Sequence, residues 1–191
     1  RLPSHFIASL LSAPAATTLP GAGQKSWHGR IVRRPAWLRT ACLAQRSTWT
    51  IAARALAWFW LAEAVQRLNG RVTTIERDEG KRELADINFQ RAGLSKWINK
   101  LAGEAETLLP TLPEAGYQLI FLDSDRQRYR VWWPQIQRLL APRGLLVVDN
   151  AVSHRDELAE WMGEVQRDPA FATSLVPVGK GEWLVVSLSG E

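Results

Sequence analysis

The sequence predicts an α/β fold in which a mostly parallel sheet is covered by helices on both faces. From residue 61 onward, apolar runs of strand length alternate with segments of helical periodicity. Two runs, YQLIFLD at 117–123 and GLLVV at 144–148, are apolar almost throughout, which is typical of strands buried on both faces. The last two short runs are joined by a glycine-containing turn, which favours an antiparallel hairpin at one end of the sheet.

The individual elements follow from local residue patterns. GRVTTIE at 70–76 is rich in β-branched residues, Gly93 is a helix stop, Pro110 interrupts a helical segment, and APRG at 141–144 has the composition of a turn. We therefore predict strands at 70–76, 98–102, 117–123, 144–148, near 175–177 and at 183–188, and helices over 79–94, 104–112, 128–140 and 155–167.

Length and composition indicate one folded domain. The 191 residues are 46% hydrophobic, which suffices for a single core. No apolar run reaches the roughly 18 residues that cross a bilayer, so we expect a soluble protein that does not use the membrane as a partner. Cys42 is the only cysteine, which excludes an internal disulfide and a multi-cysteine metal site and fits a cytoplasmic location.

The charges are distributed unevenly along the chain. Residues 1–62 contain eight bases and no acid, whereas the remainder holds the other 16 bases and all 19 acids. A basic arm with Trp27, Trp37 and Trp49 could bind nucleic acid through phosphates and stacked bases. No nucleic-acid motif accompanies the charge, so we interpret residues 1–59 as a basic leader and residues 60–191 as the α/β domain.

Three of the predicted strands end in acids or lead directly into one, at Glu76, Asp123 and Asp149. Any one of them could simply cap the next helix. Ligands of open α/β sheets bind beyond the carboxyl ends of the strands, so three acids on that edge indicate a site. Glu76 is placed to accept hydrogen bonds from ribose hydroxyls. Asp123, Asp149 and Asn150 offer two carboxylates and an amide oxygen, a set suited to Mg²⁺ or another divalent cation.

Several stretches in order carry a resemblance to a known family. They are WLAEAV at 60–65, GRVTTIERDEGKRELADINFQRAGL at 70–94, GEAETLLPTL at 103–112, YQLIFLDSDRQRY at 117–129 and RGLLVVDNAVSH at 143–154. Together they resemble the class I S-adenosylmethionine-dependent O-methyltransferases, in particular the catechol and caffeoyl-CoA branch.

The resemblance implies a Rossmann-like, doubly wound sheet of seven strands with a reversed terminal hairpin. It implies S-adenosylmethionine as cofactor, a small hydroxylated, catechol-like acceptor and, as for many relatives, a homodimer. By motif position, Glu76 holds the ribose, Glu104 and Ala105 flank the adenine after Gly103, and Asp123 contacts the cofactor. The same positions make Asp123, Asp149 and Asn150 the ligands of the metal.

The resemblance also implies how the reaction proceeds. An acceptor with vicinal hydroxyls chelates the metal, loses a proton and attacks the sulfonium methyl in line. Many relatives carry a lysine base where this chain has Arg126, and arginine does not release its proton in the useful range. Arg126 then stabilises the oxyanion, and Asp125 or metal-bound hydroxide takes the proton. Alternatively, Arg126 is a surface residue at a helix start, and His154 is either a substrate contact or a loop histidine.

The chain departs from the family pattern at the cofactor loop. Relatives have a glycine-rich loop after the first strand, whereas RSTWTIAARALAWFW at 46–60 has no glycine and four tryptophans or phenylalanines. A reading-frame slip upstream of about Trp60 explains this, and a divergent cofactor loop is the alternative. In the first case the sheet lacks its first strand or recruits a substitute, and the nucleotide sequence distinguishes the two.

Two other functions remain open at this stage. A noncatalytic descendant of the family would keep the fold without binding the methyl donor. A nicotinamide-dependent oxidoreductase would share the sheet and the ribose acid, but it also needs a glycine-rich phosphate loop and has no use for Asp149 and Asn150.

Overall fold

The computed structural model describes residues 8–12, 61–66 and 68–189. The strands are β1 Ala8–Ser12, β2 Arg71–Glu76, β3 Ile98–Ala102, β4 Tyr117–Leu122, β5 Leu140–Val148, β6 Phe171–Val176 and β7 Glu182–Ser187. The helices are α1 at 61–66, α2 Glu79–Arg91, α3 Ala105–Leu108, α4 Tyr129–Leu139 and α5 Arg155–Arg167, with 3₁₀ turns at Ser95–Trp97, Leu109–Thr111 and Arg126–Arg128. Of the helices in these ranges, none is both long and apolar enough to cross a membrane.

The sheet has seven strands in the order β3-β2-β1-β4-β5-β7-β6. β2 pairs with β3 and β4 pairs with β5 in parallel, while β7 is antiparallel to both β5 and β6. β1 is antiparallel to both β2 and β4, so those two run in the same direction. Five of the seven strands therefore run in the same direction, and the predicted antiparallel hairpin of β6 and β7 is confirmed. Because β1 and β7 are reversed, however, four of the six neighbouring strand pairs are antiparallel, so the sheet is mixed.

The central position between β2 and β4 is filled by a strand of the basic leader. Ala8 pairs with Ile75, and Leu10 pairs with both Thr73 and Ile120. The first strand is therefore not missing: a reversed substitute occupies its position. Because β1 is reversed, the chain enters it at the edge where β2 and β4 end. The stretch at 46–60, where we expected the cofactor loop, lies outside the described residues.

Two hydrophobic clusters cover the sheet. Val72 and Ile75 on β2 belong to different clusters, as expected for strand residues of opposite parity, which point to opposite faces. The larger cluster joins α3, α4 and α5 to β4, β5 and β7, and the smaller one joins α1 and α2 to β2. The fully buried side chains of the larger cluster include Ile75, Ile120, Leu122, Tyr129, Ile136, Leu139, Leu146, Val148, Leu158 and Trp183. Helices thus lie on both faces, as predicted.

Element boundaries differ from the sequence prediction by four residues at three places and by one to three residues at several others. The turn expected at 141–144 is wrong: these residues belong to β5, where Arg143 has φ 58° and the pairing with β4 shifts register between Tyr117 and Leu119. The helix expected over 104–112 is a short α-helix followed by a 3₁₀ turn, because Pro110 has no amide proton. β6 begins at Phe171, well before the predicted strand, because it pairs with β7 from Phe171 opposite Ser187.

Candidate functional site

Strand register brings the predicted site residues to one edge of the sheet. Glu76 pairs with Ala102, Leu122 pairs with Val148, and Val148 pairs with Trp183. The next residues along these strands are Gly103, Asp123, Asp149 and, because β7 is reversed, Glu182. The structure therefore places the expected ribose acid and the expected metal corner on the same edge, on either side of β1.

Glu76 is a buried acid, with only 5% of its surface exposed. Its Oε1 accepts a 2.9 Å hydrogen bond from the amide of Asp78, while its buried Oε2 has no hydrogen-bond partner. Burial raises the pKa of Glu76 above its ordinary value, against the opposing effect of the Asp78 amide. A buried carboxylate oxygen without a partner is suited to accept a hydrogen bond from a ligand hydroxyl.

The segment after β3 packs against the end of β2. The amide of Gly103 donates to the carbonyl of Glu76 at 3.3 Å, and its φ of 142° favours glycine. Glu104 occupies the N-cap position of α3, and its side chain forms an ion pair with Arg77 at 3.1 Å and not a capping hydrogen bond. Ala105 is only 1% exposed and belongs to the hydrophobic core. Of the two residues expected to flank the adenine, Glu104 therefore lines a cavity, whereas Ala105 is part of the hydrophobic core.

A polar cavity of about 250 Å³ opens beyond the ends of β2, β3 and β4. Two ion pairs flank it, Arg77 with Glu104 and Arg128 with Glu106. The indole Nε1 of Trp132 donates to Oε1 of Glu106 at 3.3 Å, which ties α4 to the start of α3. Ser124 lines the same cavity. The cavity is thus built from charged groups and one aromatic side chain, a lining suited to a nucleoside.

Asp123, Asp149 and Asn150, at the ends of β4 and β5, are called the acid corner here, and backbone hydrogen bonds hold them in place. The amide of Asp149 donates to the carbonyl of Leu122 at 2.9 Å, so Asp149 lies beside the chain that continues into Asp123. Asn150 has φ 63°, a left-handed conformation that asparagine tolerates better than most residues. Its Nδ2 donates to Oδ2 of Asp149 at 2.6 Å. Asn150 is therefore folded back over the carboxylate that precedes it.

Glu182 is a further acid at this corner that the sequence analysis missed. Burial, a hydrogen bond to Asp149 and the charges of Asp149 and Asp123 raise the pKa of Glu182 to about 8. Its buried Oε2 has no hydrogen-bond partner. The predicted antiparallel hairpin could have indicated this acid. Because β7 runs opposite to β5, its first residue lies at the edge where β5 ends.

The donor chemistry of this corner fits a divalent cation. Three carboxylates and one amide are hard oxygen ligands of the kind that bind such cations. Within the described ranges, however, no group of three or more His, Cys, Asp or Glu side chains is already arranged to hold a metal ion. Cation binding therefore requires these side chains to move closer together.

The loop after Asp123 has mainly structural contacts. Oδ1 of Asp125 accepts from the amide of Gln127 at 3.3 Å and caps the 3₁₀ turn Arg126–Arg128. Arg126 is half-buried, and its Nε has no hydrogen-bond partner. No side-chain contact of Arg126 therefore distinguishes its two predicted roles, stabilisation of the acceptor oxyanion and a surface residue at a helix start.

Tyr129 is a second site residue that the sequence analysis missed. Its hydroxyl accepts a 2.6 Å hydrogen bond from the amide of Ser124. Burial raises the pKa of Tyr129 far above its ordinary value, and the Ser124 amide and the charge of Arg126 oppose that rise. Through this hydrogen bond Tyr129 contacts the loop that follows Asp123.

His154 immediately precedes α5, and its side chain contacts that helix. Its Nδ1 is 2.7 Å from Oε1 of Glu157, three residues further along. This contact with a side chain of its own helix supports the interpretation of His154 as a loop histidine, although the ring makes no capping hydrogen bond to a backbone amide.

The chain is similar to proteins of known family. A family profile described as O-methyltransferase matches residues 57–187. A catechol O-methyltransferase of Niastella koreensis is 35% identical over 96 residues, which cover 49% of this chain and 43% of that protein. A catechol O-methyltransferase of Mycobacterium tuberculosis is 29% identical over 154 residues, 81% of this chain and 68% of that protein. The chain thus spans less than half the length of the first of these relatives and about two thirds of the second.

A solved structure agrees with the fold. The SAH-bound methyltransferase of Podospora anserina superposes with a TM-score of 0.61 at 20% identity, covering 79% of this chain and 84% of that protein. Its similarity at this identity concerns the fold alone. Since the family profile covers well over half of the residues, the chain belongs to the O-methyltransferase family.

Proposed function

We propose that this protein transfers a methyl group from S-adenosylmethionine to a hydroxyl of a small, catechol-like acceptor. The observation that carries the proposal is Oε2 of Glu76, a buried carboxylate oxygen without a hydrogen-bond partner at the end of β2. The next residue, Arg77, lines the polar cavity, whereas Glu76 itself lines a smaller pocket with Thr74 and Lys100. An O-methyltransferase needs such an acid for the ribose hydroxyls of its donor. The names of the two catechol O-methyltransferase relatives support the acceptor class.

The methyl donor fits the cavity with its nucleoside end. Glu76 accepts from the ribose, and the base lies between the Arg77–Glu104 pair and Ser124. Gly103 lets the backbone come close to the ligand at this point. The sulfonium then points along the edge toward Asp123 and the acid corner.

A divalent cation fits the acid corner, with Asp123, Asp149 and Asn150 as its protein ligands. When bound, the cation lowers the pKa of a hydroxyl that coordinates it, which prepares the acceptor for methylation. Arg126 keeps its charge throughout and stabilises the acceptor oxyanion electrostatically. A guanidinium does not accept the proton, so we assign that role to Asp125, whose carboxylate also lines the cavity.

One observation favours a second function, that of a family member without catalytic activity. β1 is reversed, so within the described residues no glycine-rich loop leaves a central strand at the ligand edge. Such a loop normally supplies backbone amides for the donor carboxylate. A chain without an equivalent would keep the fold and bind the donor weakly or not at all.

Calorimetric titration with S-adenosylmethionine and with S-adenosylhomocysteine, each with and without Mg²⁺, tests both functions. We expect binding by the wild-type chain and at least a tenfold loss for Glu76→Gln, with methyl transfer to catechol measured on the same samples. Exposed Glu83→Gln is the matched control, and its affinity should be unchanged. Absence of donor binding by a folded wild-type chain would establish the noncatalytic alternative.

A further inference from the structure

A small cavity of about 20 Å³ lies between α2 and the strands β2 and β3. Thr74, Glu76 and Lys100 line it from the sheet. Thr74 and Glu76 are two residues apart on β2 and point to the same face, and Lys100 pairs with Thr74 across the strands. Lys81 and Ala85, four residues apart on one face of α2, line the cavity from the helix. The cavity is therefore enclosed between the sheet face that carries Glu76 and the helix that covers this face.

Two buried polar atoms of the residues that line this cavity have no hydrogen-bond partner in the described part of the chain. They are Oγ1 of Thr74 and Oε2 of Glu76, in side chains that are more than nine-tenths buried. A buried oxygen without a partner is unfavourable, because it loses the hydrogen bonds that water gives it in the unfolded chain. Valine has nearly the shape of threonine and would fill this strand position without burying a hydroxyl. Packing alone therefore does not account for Thr74.

The size and the lining of the cavity fit one water molecule. A buried water needs a free volume of about 10 to 15 Å³ and roughly two to four polar partners. The volume of about 20 Å³ is sufficient, and Thr74 and Glu76 supply two partners. Water has two protons, so it can donate one to each of these oxygens. One water offsets only part of the cost of burying a carboxylate, which agrees with the raised pKa of Glu76.

We propose that a buried water bridges Oγ1 of Thr74 and Oε2 of Glu76, and that Thr74 is thereby a positioning residue for the ribose acid. The amide of Asp78 holds Oε1 at 2.9 Å and the water holds Oε2, so the plane of the carboxylate is fixed before the donor binds. A carboxylate oxygen accepts about two hydrogen bonds, so one position on each oxygen remains for the ribose hydroxyls. The role in donor binding rests on the proposed function, whereas the bridging water does not.

Titration calorimetry with S-adenosylhomocysteine tests whether Thr74 acts on donor binding. We expect about fivefold weaker binding for Thr74→Val, which removes the hydroxyl, and recovery for Thr74→Ser, which keeps it. Thr73→Val is the matched control. It removes another buried hydroxyl of β2, which bonds Tyr117 and points to the opposite face of the sheet, and it should bind as the wild type does.

High-resolution crystal structures of the same variants, free and with S-adenosylhomocysteine, locate the water directly. In the wild type, Thr74→Ser and Thr73→Val, we expect one density peak within hydrogen-bonding distance of the residue 74 hydroxyl and of Oε2 of Glu76. In Thr74→Val, the peak should be absent and the carboxylate of Glu76 rotated. Bound S-adenosylhomocysteine should leave the peak in place, because the ribose occupies the other acceptor positions. Thermal melting verifies that each variant is folded.

The outcomes separate this inference from the proposed function. A wild-type chain that binds S-adenosylhomocysteine but holds no water between Thr74 and Glu76 overturns this inference and leaves the proposed function standing. Equal affinity of Thr74→Val and the wild type overturns the positioning role. A bridging water in a chain that does not bind S-adenosylhomocysteine supports the bridge and removes the proposed transferase activity. The wild-type crystal structure decides on the bridge even if Thr74→Val does not fold.

Discussion

The hydroxyl of Tyr129 accepts a 2.6 Å hydrogen bond from the backbone amide of Ser124, the residue that follows Asp123. Both residues are buried, so water does not replace this bond when the hydroxyl is removed. Tyr129 therefore holds the loop that leaves β4 in the position where Asp123 meets Asp149. The ring of Tyr129 also packs edge-on against Trp161, with ring centroids 5.6 Å apart. This packing restricts the position of the Tyr129 hydroxyl.

Tyr129→Phe should destabilise the protein and loosen the acid corner. An unpaired buried amide costs about 1 to 3 kcal/mol, and we expect a loss in this range in urea unfolding. Mn²⁺ affinity should fall as well, because Asp123 is less restrained. Tyr117→Phe is the control: it removes another buried hydroxyl, which bonds Thr73, at the far end of β4. Equal effects of both variants on Mn²⁺ binding would contradict the positioning role.

Glu76→Gln should stabilise the free protein while it weakens donor binding. Burial raises the pKa of Glu76 above 4.5, so ionising the folded protein is harder than ionising the unfolded chain. Wild-type stability therefore falls as the pH rises from about 4.5 through the folded pKa, and the variant does not show this fall. Melting temperatures between pH 4 and pH 8 measure the difference. A variant less stable than the wild type at pH 7 would show that Glu76 has a favourable partner instead.

Glu182 should give the free protein a second pH dependence of the same sign. Its folded pKa of about 8 lies above the ordinary value of 4.5, so its contribution to stability declines across that interval. Glu182→Gln should flatten the melting-temperature profile between those pH values in EDTA. An identical profile for the wild type and the variant would show that Glu182 is ionised normally in the folded state.

Gly181→Ala should disrupt the junction between β7 and the Asn150 turn. The new Cβ would overlap Val152, and φ 90° is unfavourable for alanine, so we expect a loss of about 2 to 5 kcal/mol. Gly179→Ala is the matched control, because φ there is 60° and no atom lies within 4 Å of an added Cβ. It should cost only about 1 to 2 kcal/mol for the backbone conformation. Chemical denaturation of both variants measures the contrast, and similar losses would contradict the packing argument.

Leu10→Pro should test whether β1 is the central strand. Proline has no amide proton and is excluded from the middle of a sheet, and each partner carbonyl left unpaired costs about 1 to 3 kcal/mol. Leu10 pairs with Thr73 on one side and with Ile120 on the other. Leu10→Val keeps the amide and should fold normally. Wild-type stability of Leu10→Pro would show that residues 8–12 do not pair in solution.

Sequence patterns were reliable where the physical signal is local. The β-branched run that forms β2, the amphipathic segment that forms α5 and the short run that forms β3 all have the predicted type, and α5 and β3 have the predicted bounds. Polar residues at strand ends also predicted which part of the molecule carries Glu76, Asp149 and Asn150. Each of these features depends on neighbours within a few positions along the chain.

Patterns failed where segments distant in sequence decide the structure. APRG has the composition of a turn, yet it lies within β5, because β4 pairs with Leu140 before it and with Leu145 after it. Tyr129 reads as an ordinary helix residue, and only the fold brings its hydroxyl to Ser124. The extent of β6 depends on β7, which forms the other half of the hairpin.

By itself, the sequence determined the α/β class, the edge that carries the site and the acid-amide pair that ends β5, because periodicity and strand-terminal polar residues are properties of short segments. Only the tertiary structure decided that Ala8–Ser12 occupies the central position as a reversed strand and that Glu182 lies beside Asp149. Strand order and register are set by pairing and burial between segments far apart in the chain, and local composition does not encode them.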